Sequence, residues 1–145
     1  MAQSESVRAF KNDLKSYHYN LSRIVTLQNS IDFCYHKLGA DVRAIDYSRE
    51  PSNSVPNKEL EYKLRDDIER YEHLKAIFQM KVRYVDEILA RIETNVREAI
   101  INVYVEHKKM EKVAPKHNIS TNGLQYRIDK AIEGALDEKG HEEKI

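Results

Sequence analysis

The side chains best suited to bind a ligand lie near the end of the chain. Residues 121–126 supply two amides, Asn122 and Gln125, beside Thr121 and Tyr126. An Asn or Gln amide can form two hydrogen bonds to an adenine edge, and a threonine methyl can contact thymine. Cations able to hold phosphates flank this group, namely Lys108, Lys109, Lys116, Arg127 and Lys130. These residue types favour contact with a nucleic acid over bond-breaking chemistry.

The surrounding residues predict how these side chains are held. Val113 and Ala114 are small apolar residues that allow two helices to approach closely, and residues 117–119 form the predicted turn. Within it, Asn118 is the non-glycine residue best able to adopt positive φ. Ser120 is a suitable N-cap for a second helix, whose inward residues are Leu124, Ile128, Ala131 and Ile132. This pattern predicts a helix-turn-helix, whose second helix presents its first residues to the DNA major groove.

Other reactive side chains show no spacing typical of a catalytic or metal site. The 6 histidines are scattered, and His107 with Glu111 offers only two nominal metal ligands on one helix face. Cys34 lies beside an apolar stripe with no recognisable activating base, which favours a buried, inert thiol. We therefore expect no enzymatic activity, no metal and no cofactor.

Composition favours long, solvated helices. Charged residues make up 33% of the 145 residues, hydrophobic residues 41%, and there are only 4 glycines and 3 prolines. A single cysteine excludes an internal disulfide. No apolar run approaches the roughly 20 residues that span a bilayer, and the N-terminus lacks a signal-peptide core. We expect a soluble, cytoplasmic protein with no membrane partner.

The formal net charge is zero, but the charge is unevenly distributed. Residues 97–132 hold seven Lys or Arg against four acids, whereas residues 133–145 hold two against five. Positive charge therefore collects on the predicted helix-turn-helix and an acidic tail follows it. A surplus of this size supports nucleic-acid contact only modestly.

The N-terminal part predicts a long helical hairpin. Apolar positions from Ser4 to Leu38 recur in steps of three and four, which is a heptad pattern. Gln28 is its one polar member. Gly39 is predicted to end this helix as a C-cap. Residues 40–57 carry Pro51 and Pro56 and predict a loop. A second heptad pattern begins near Asn57, a suitable N-cap, and reaches Ile92. Two such helices of equal length predict an antiparallel, coiled-coil-like hairpin.

Each narrow apolar stripe of this hairpin would bury little area alone, so we expect it to assemble into a homo-oligomer. The residues predicted to take part in oligomerisation are Phe10, Leu14, Tyr17, Leu21, Gln28, Ile68, Phe78 and Val82.

The predicted fold class is all-α, with an N-terminal hairpin module (residues 1–93) and a helix-turn-helix module (residues 94–135). Thr94 is expected to cap a further helix from Asn95 to about His107, whose inward residues are Val96, Ala99, Ile100, Val103 and Tyr104. The acidic residues 136–145 are expected to be disordered.

The C-terminal residues resemble a known family. Residues 97–120, REAIINVYVEHKKMEKVAPKHNIS, are similar without a gap to region 4 of bacterial sigma factors. The agreement lies at Arg97-Glu98, Tyr104, Glu106, Glu111, Val113-Ala114 and Ile119-Ser120, and continues at Leu124, Arg127, Ile128, Lys130 and Ala131. The whole chain also resembles the RinA/ArpU-type regulators of phage late genes, which carry a segment like Val42–Ser48 and end in a sigma-region-4-like domain. This resemblance implies a DNA-binding regulator of phage or prophage origin that also contacts host RNA polymerase.

Two residues depart from a regular helix-turn-helix. Pro115 removes one backbone hydrogen bond and costs about 3 kcal/mol in a regular helix, so the first helix is predicted to be short or kinked. Gly123 costs about 1 kcal/mol relative to alanine early in the second helix. It either permits close approach to a phosphate or is simply tolerated.

The expected function is sequence-specific binding of double-stranded DNA by a phage or prophage transcription regulator, a late-gene activator. One alternative is a DNA-packaging protein of the small-terminase type, although such proteins usually place their DNA-binding motif first. Another is a structural coiled-coil protein without DNA binding. Salt-dependent binding of duplex DNA separates the first two from the third, and a ring of many subunits would favour packaging.

Overall fold

The computed structural model describes residues 4–47 and 58–143, and their side chains over 4–39 and 58–137. All regular secondary structure within these ranges is helical, as the composition predicts. The α-helices are α1 (Glu5–Lys15), α2 (Tyr17–Tyr47), α3 (Lys58–Leu89), α4 (Thr94–Ile100), α5 (Met110–Val113) and α6 (Thr121–Glu143). A π-helical turn, Ile101–Val105, follows α4, and a 3-10 turn, Ala114–His117, follows α5.

The predicted first helix is interrupted and then longer than expected. Ser4 Oγ caps α1 by accepting a hydrogen bond from the Val7 N–H at 3.2 Å. Ser16, with φ −92° and ψ 1°, separates α1 from α2. Gly39 is not a C-cap, since its φ is not positive. Helix α2 continues past it to Tyr47. The predicted loop 40–57 is therefore wrong for residues 40–47, and residues 48–57 lie outside the described ranges.

The chain forms two compact units, and their boundary differs from the predicted division at residue 93. One unit, the terminal unit, contains residues 1–20 and 80–145, whereas the other, the middle unit, contains residues 21–79. The difference arises because α1 packs against α6 and the π-helical turn. The N-terminal helix thus belongs to the same unit as the predicted helix-turn-helix, not to a separate hairpin module.

The terminal unit has one continuous apolar core to which every one of its helices contributes. In α1 the buried side chains are Val7, Phe10 and Leu14. Phe10 is 1% exposed, and its ring packs edge-on against Tyr84 with the ring centroids 6.0 Å apart. From the rest of the unit the core receives Val85, Ile88, Leu89, Ile92, Val96, Ala99, Ile100, Tyr104, Val105, Val113, Ala114, Leu124, Ile128, Ile132 and Ala135.

In the middle unit, α2 and α3 pack side by side. Ile31 and Cys34 of α2 bury against Leu64 and Ile68 of α3. Residues later in α2 contact residues earlier in α3. The Arg23 guanidinium lies 5.6 Å from the Phe78 ring centroid, and Lys75 Nζ donates a hydrogen bond to Gln28 Oε1 at 2.6 Å. These contacts place the two segments antiparallel within this unit.

The inward stripe of α2 departs from the predicted heptad at every second position, whereas Ile31 is buried as predicted. Leu27 and Cys34 are buried where Gln28 and Tyr35 were expected, and Tyr35 is 55% exposed. The predicted stripe of α3 is correct, since each of its members is buried or half-buried. The buried residues Leu27, Ile31 and Cys34 keep steps of four and three, so α2 retains a heptad in which every second member is the residue before the predicted one.

Most residues predicted to take part in oligomerisation are buried or half-buried within this chain. Phe10, Leu14 and Ile68 lie in this chain's own cores, with 1%, 0% and 8% of their surface exposed. Tyr17 is half-buried and donates a hydrogen bond to Asp86 Oδ1 at 2.8 Å. Gln28 and Phe78 make the intrachain contacts described above, and Val82 is half-buried. Of the predicted set, only Leu21 is exposed.

The predicted disordered tail is also wrong over its described part, because α6 continues to Glu143. Residues 136–143 are mostly Glu, Asp, Lys and Leu, which favour or tolerate a helix. Within the described ranges, no helix combines the length and apolar character needed to cross a bilayer.

Arg97 stabilises the junction between α3 and α4. Its Nε donates to the Leu89 carbonyl and its second guanidinium nitrogen to the Ile92 carbonyl, each at 2.8 Å. The Leu89 carbonyl is the last of α3 and also accepts the Ile92 N–H at 3.1 Å, whereas Ile92 lies in the turn that follows. A cation is well placed at such a helix C-terminus. The charge of Arg97 is thus used within the fold.

We expect Arg97→Met to lower the free energy of unfolding by about 2 kcal/mol, because two charge-assisted hydrogen bonds to backbone carbonyls are lost. Urea denaturation followed by circular dichroism measures this. Arg83→Met, at an exposed position of α3, is the matched control and should change stability by less than about 0.5 kcal/mol. Equal effects of the two replacements would refute the capping role.

Candidate nucleic-acid interface

The helix that supports the candidate site is α4 with its π-helical turn. Val96, Ala99 and Ile100 are buried, as predicted. The π-helical turn then shifts the inward face, so that Tyr104 and Val105 are buried while Val103 is only half-buried. One extra residue in a helical turn rotates the residues after it, which periodicity in the sequence does not indicate. The segment ends at His107, which adopts φ 57°.

Pro115 is accommodated because the helix before the turn is short. Regular α-helix spans only Met110–Val113, and Pro115 lies at the start of the 3-10 turn Ala114–His117. Val113 and Ala114 are each 1% exposed. Pro115 interrupts no long helix, and its carbonyl accepts the Asn118 N–H at 3.1 Å. Of the two predicted outcomes, short or kinked, the structure shows the short helix.

The predicted turn and cap are confirmed. Asn118 adopts the left-handed conformation, with φ 56° and ψ 42°. Ser120 Oγ accepts a hydrogen bond from the Gly123 N–H at 3.0 Å and so caps α6. A Cβ placed on Gly123 would lie 2.8 Å from Ile119 Cγ1 and 3.0 Å from Ser120 Oγ. Any larger residue at position 123 would therefore force the Ile119 side chain to move.

The core-facing side of α6 agrees with the prediction. Leu124, Ile128 and Ile132 are at most 1% exposed, and Ala131 is half-buried. This buried side fixes the rotation of α6 about its own axis. The opposite side of its first turns is consequently presented to solvent, and its residues are candidates for ligand contact.

Every residue predicted to contact DNA is exposed. The exposed residues at the start of α6 are Thr121, Asn122, Gln125 and Tyr126. Lys108 and Lys109 lie on the segment before α5, and Lys116 in the 3-10 turn. Lys130 Nζ lies 5.7 Å from the Tyr126 ring centroid and 3.9 Å from Glu133 Oε2. The amide row and its flanking cations are thus all accessible to a large ligand.

Asp129, one helical turn after Gln125 on the same side of α6, makes a contact within the chain. Asp129 pairs with Lys11 Nζ of α1, and the Lys11 side chain is only 7% exposed. Lys11 Nζ also lies 5.3 Å from the Tyr104 ring centroid. Sequence reasoning missed Lys11 because 118 positions separate it from Asp129. The pair neutralises a carboxylate that would otherwise repel phosphates beside the amide row.

The structure brings no metal-binding cluster to this region. Among the side chains it describes, no group of three His, Cys, Asp or Glu residues is placed to hold a metal ion. His107 and Glu111 remain two isolated nominal ligands, which do not make a site. The geometry provides hydrogen-bond donors and acceptors and positive charge on a convex helix.

Comparisons with models of known protein families, with curated proteins and with solved structures give no match to this chain. The interpretation of the site therefore depends on its geometry and on the sequence pattern.

Proposed function

We propose that this chain is a sequence-specific DNA-binding transcription regulator. The observation that supports this most strongly is the exposed row Thr121, Asn122, Gln125 and Tyr126 on the first turns of α6. The Asn118 turn, the Ser120 cap and the buried side of α6 hold that row in place. Helix α5 with its 3-10 turn, the turn and α6 together correspond to a helix-turn-helix, in which these positions contact base edges in the major groove.

Within this proposal, Asn122 and Gln125 recognise adenine edges, while Thr121 and Tyr126 contact bases or a phosphate. Lys108, Lys109, Lys116, Arg127 and Lys130 hold the phosphate backbone. Base contacts set the preferred sequence, whereas phosphate contacts add affinity that falls with salt.

The test is binding of a labelled duplex by the full chain, followed by fluorescence anisotropy at increasing salt. Affinity should fall steeply with salt concentration. Duplex binding that is absent at low salt would leave only the structural coiled-coil alternative.

Lys116→Ala should weaken binding to all duplexes alike and reduce the slope of log affinity against log salt by about one, because one phosphate contact is removed. Lys63→Ala, an exposed lysine of the middle unit, is the control and should change neither quantity. Loss of discrimination between sequences would instead assign Lys116 to base recognition.

We further propose that the regulator acts as a homo-oligomer. Exposed apolar side chains on α2 support this, since Leu21, Val25 and Tyr35 are 37%, 60% and 55% exposed. The small charge surplus of residues 97–132 also favours several copies acting together on DNA. Sedimentation equilibrium tests this proposal, and a monomer at all concentrations would contradict it.

The resemblance to sigma region 4 and to the RinA/ArpU-type regulators supports a role as a phage or prophage late-gene activator with host RNA polymerase as a second partner. Transcription from a late promoter, reconstituted with and without the protein, tests that role. Unchanged transcript levels despite promoter binding would contradict it.

A further inference from the structure

A groove in the terminal unit runs between α6 and residues 91–96. Its volume is about 460 Å³. Three cations line it, Arg91, Arg127 and Lys130, with one carboxylate, Glu93. Arg127 and Lys130 come from α6, whereas Arg91 lies in the turn after α3. The groove therefore collects cations that are distant in the sequence.

The floor of this groove is made of small residues. Ala131, Gly134 and Ala135 line it, and a Cβ placed on Gly134 would meet nothing within 4 Å. From Arg127 to Ala135 the groove follows α6 for about 12 Å, at about 1.5 Å per residue. This length and the small residues on the α6 side leave room for an extended anionic chain, while Ile92 and Val96 line the other side.

The position of the groove relates it to the amide row. On a helix with 3.6 residues per turn, Arg127 and Lys130 lie on the side of Tyr126 away from Asn122 and Gln125, whereas Asp129, with its partner Lys11, points in the same direction as those two amides. A helix seated in the major groove has a phosphate backbone on each side. The cationic flank is thus where a backbone would run beside α6.

We propose that this groove binds the sugar–phosphate backbone of one DNA strand, and that Arg91 is a phosphate contact together with Arg127 and Lys130. The inference rests on the proposed function and deepens it. It extends the DNA contact to the turn between α3 and α4, outside the helix-turn-helix.

Gly134→Glu tests the groove, because it adds bulk and negative charge at a position where a side chain meets no neighbour. Gly39→Glu is the matched control, since a Cβ at Gly39 of α2 also meets nothing within 4 Å. Both replacements should preserve or raise the thermal midpoint, because glycine is a poor helix former. Binding of a short random-sequence duplex, measured between about 50 and 200 mM salt, is the readout.

Gly134→Glu should weaken duplex binding about three- to tenfold, the effect of about one lost phosphate contact, whereas Gly39→Glu should match the wild type. Arg91→Gln should reduce the salt slope by about one, and Arg83→Gln should not. In each variant the preference among sequences should persist, because base contacts are unchanged.

Equal binding by Gly134→Glu and Gly39→Glu would overturn the groove proposal while leaving the proposed function intact. If Gly134→Glu kept duplex affinity but lost binding of polyglutamate, the groove would instead serve an acidic polypeptide and the proposal would be wrong. Absence of duplex binding by the wild type would refute the proposed function itself.

Discussion

Replacing Phe10 with alanine should lower the free energy of unfolding of the terminal unit by about 3–5 kcal/mol. Phe10 is 1% exposed and packs against Tyr84 in the core that also holds α6. Its removal would leave a cavity between the N-terminal helix and elements more than 70 positions away. Urea denaturation followed by circular dichroism measures the loss, and hydrogen exchange of the α6 amides should rise with it.

Phe33→Ala is the control for this prediction. Phe33 is 59% exposed on α2 in the middle unit, so its replacement should change stability by less than about 1 kcal/mol. If Phe10→Ala were as mild as Phe33→Ala, or if α6 stayed protected from exchange, α1 would not be part of the terminal unit. The predicted division, in which α1 belongs to a separate hairpin module, would then be correct.

Replacing Asn122 and Gln125 together by alanine should remove most of the discrimination between a preferred duplex and a scrambled one. Each two-hydrogen-bond contact to a base contributes about 1–3 kcal/mol of discrimination. Non-specific affinity and its salt dependence should persist, because the phosphate-binding cations are unchanged. Both side chains are exposed, so stability should hold or rise slightly with the better helix former alanine.

The matched control for the double replacement is Asn12→Ala with Gln79→Ala, at exposed positions of α1 and α3. This variant should keep both affinity and sequence preference. Intact discrimination in the Asn122/Gln125 variant would show that another surface recognises the bases. A parallel loss of all binding would instead assign these amides to phosphate contact.

The C-terminal elements could be predicted from the sequence because their determinants are local. Asn118 adopts positive φ, and Ser120 caps α6 by accepting a hydrogen bond from an N–H only three residues away. The inward residues of α6 follow a plain helical period. Pro115 predicts that the helix before it is either short or kinked, and the structure has the short helix.

The parts that could not be predicted depend on contacts between distant residues. No local pattern indicates that Lys11 will meet Asp129, or that Arg97 will donate to the carbonyls of Leu89 and Ile92. The break at Ser16 separates α1 from α2 within an apolar pattern that continues unbroken across it. Consequently the helical class was predicted correctly, whereas the division into units and the residues available for oligomerisation were not.

The lining of the groove beside α6 could not be predicted completely either, because it combines residues that are distant in the sequence. Arg127 and Lys130 were identified as phosphate contacts from their place on the predicted second helix. Arg91 was not, because only the fold brings the turn after α3 beside them. Residues 1–96 carry no net charge, so a count of charges along the sequence does not assign Arg91 to a cationic surface.

The most direct test of the central claim is selection from a pool of random-sequence duplexes by the full chain, followed by sequencing of the bound DNA. We predict that the wild type enriches one common motif, and that the Asn122/Gln125 variant retains DNA without enriching it. Failure of the wild type to enrich any motif, or enrichment of the same motif by the variant, would contradict recognition of DNA sequence through the first turns of α6.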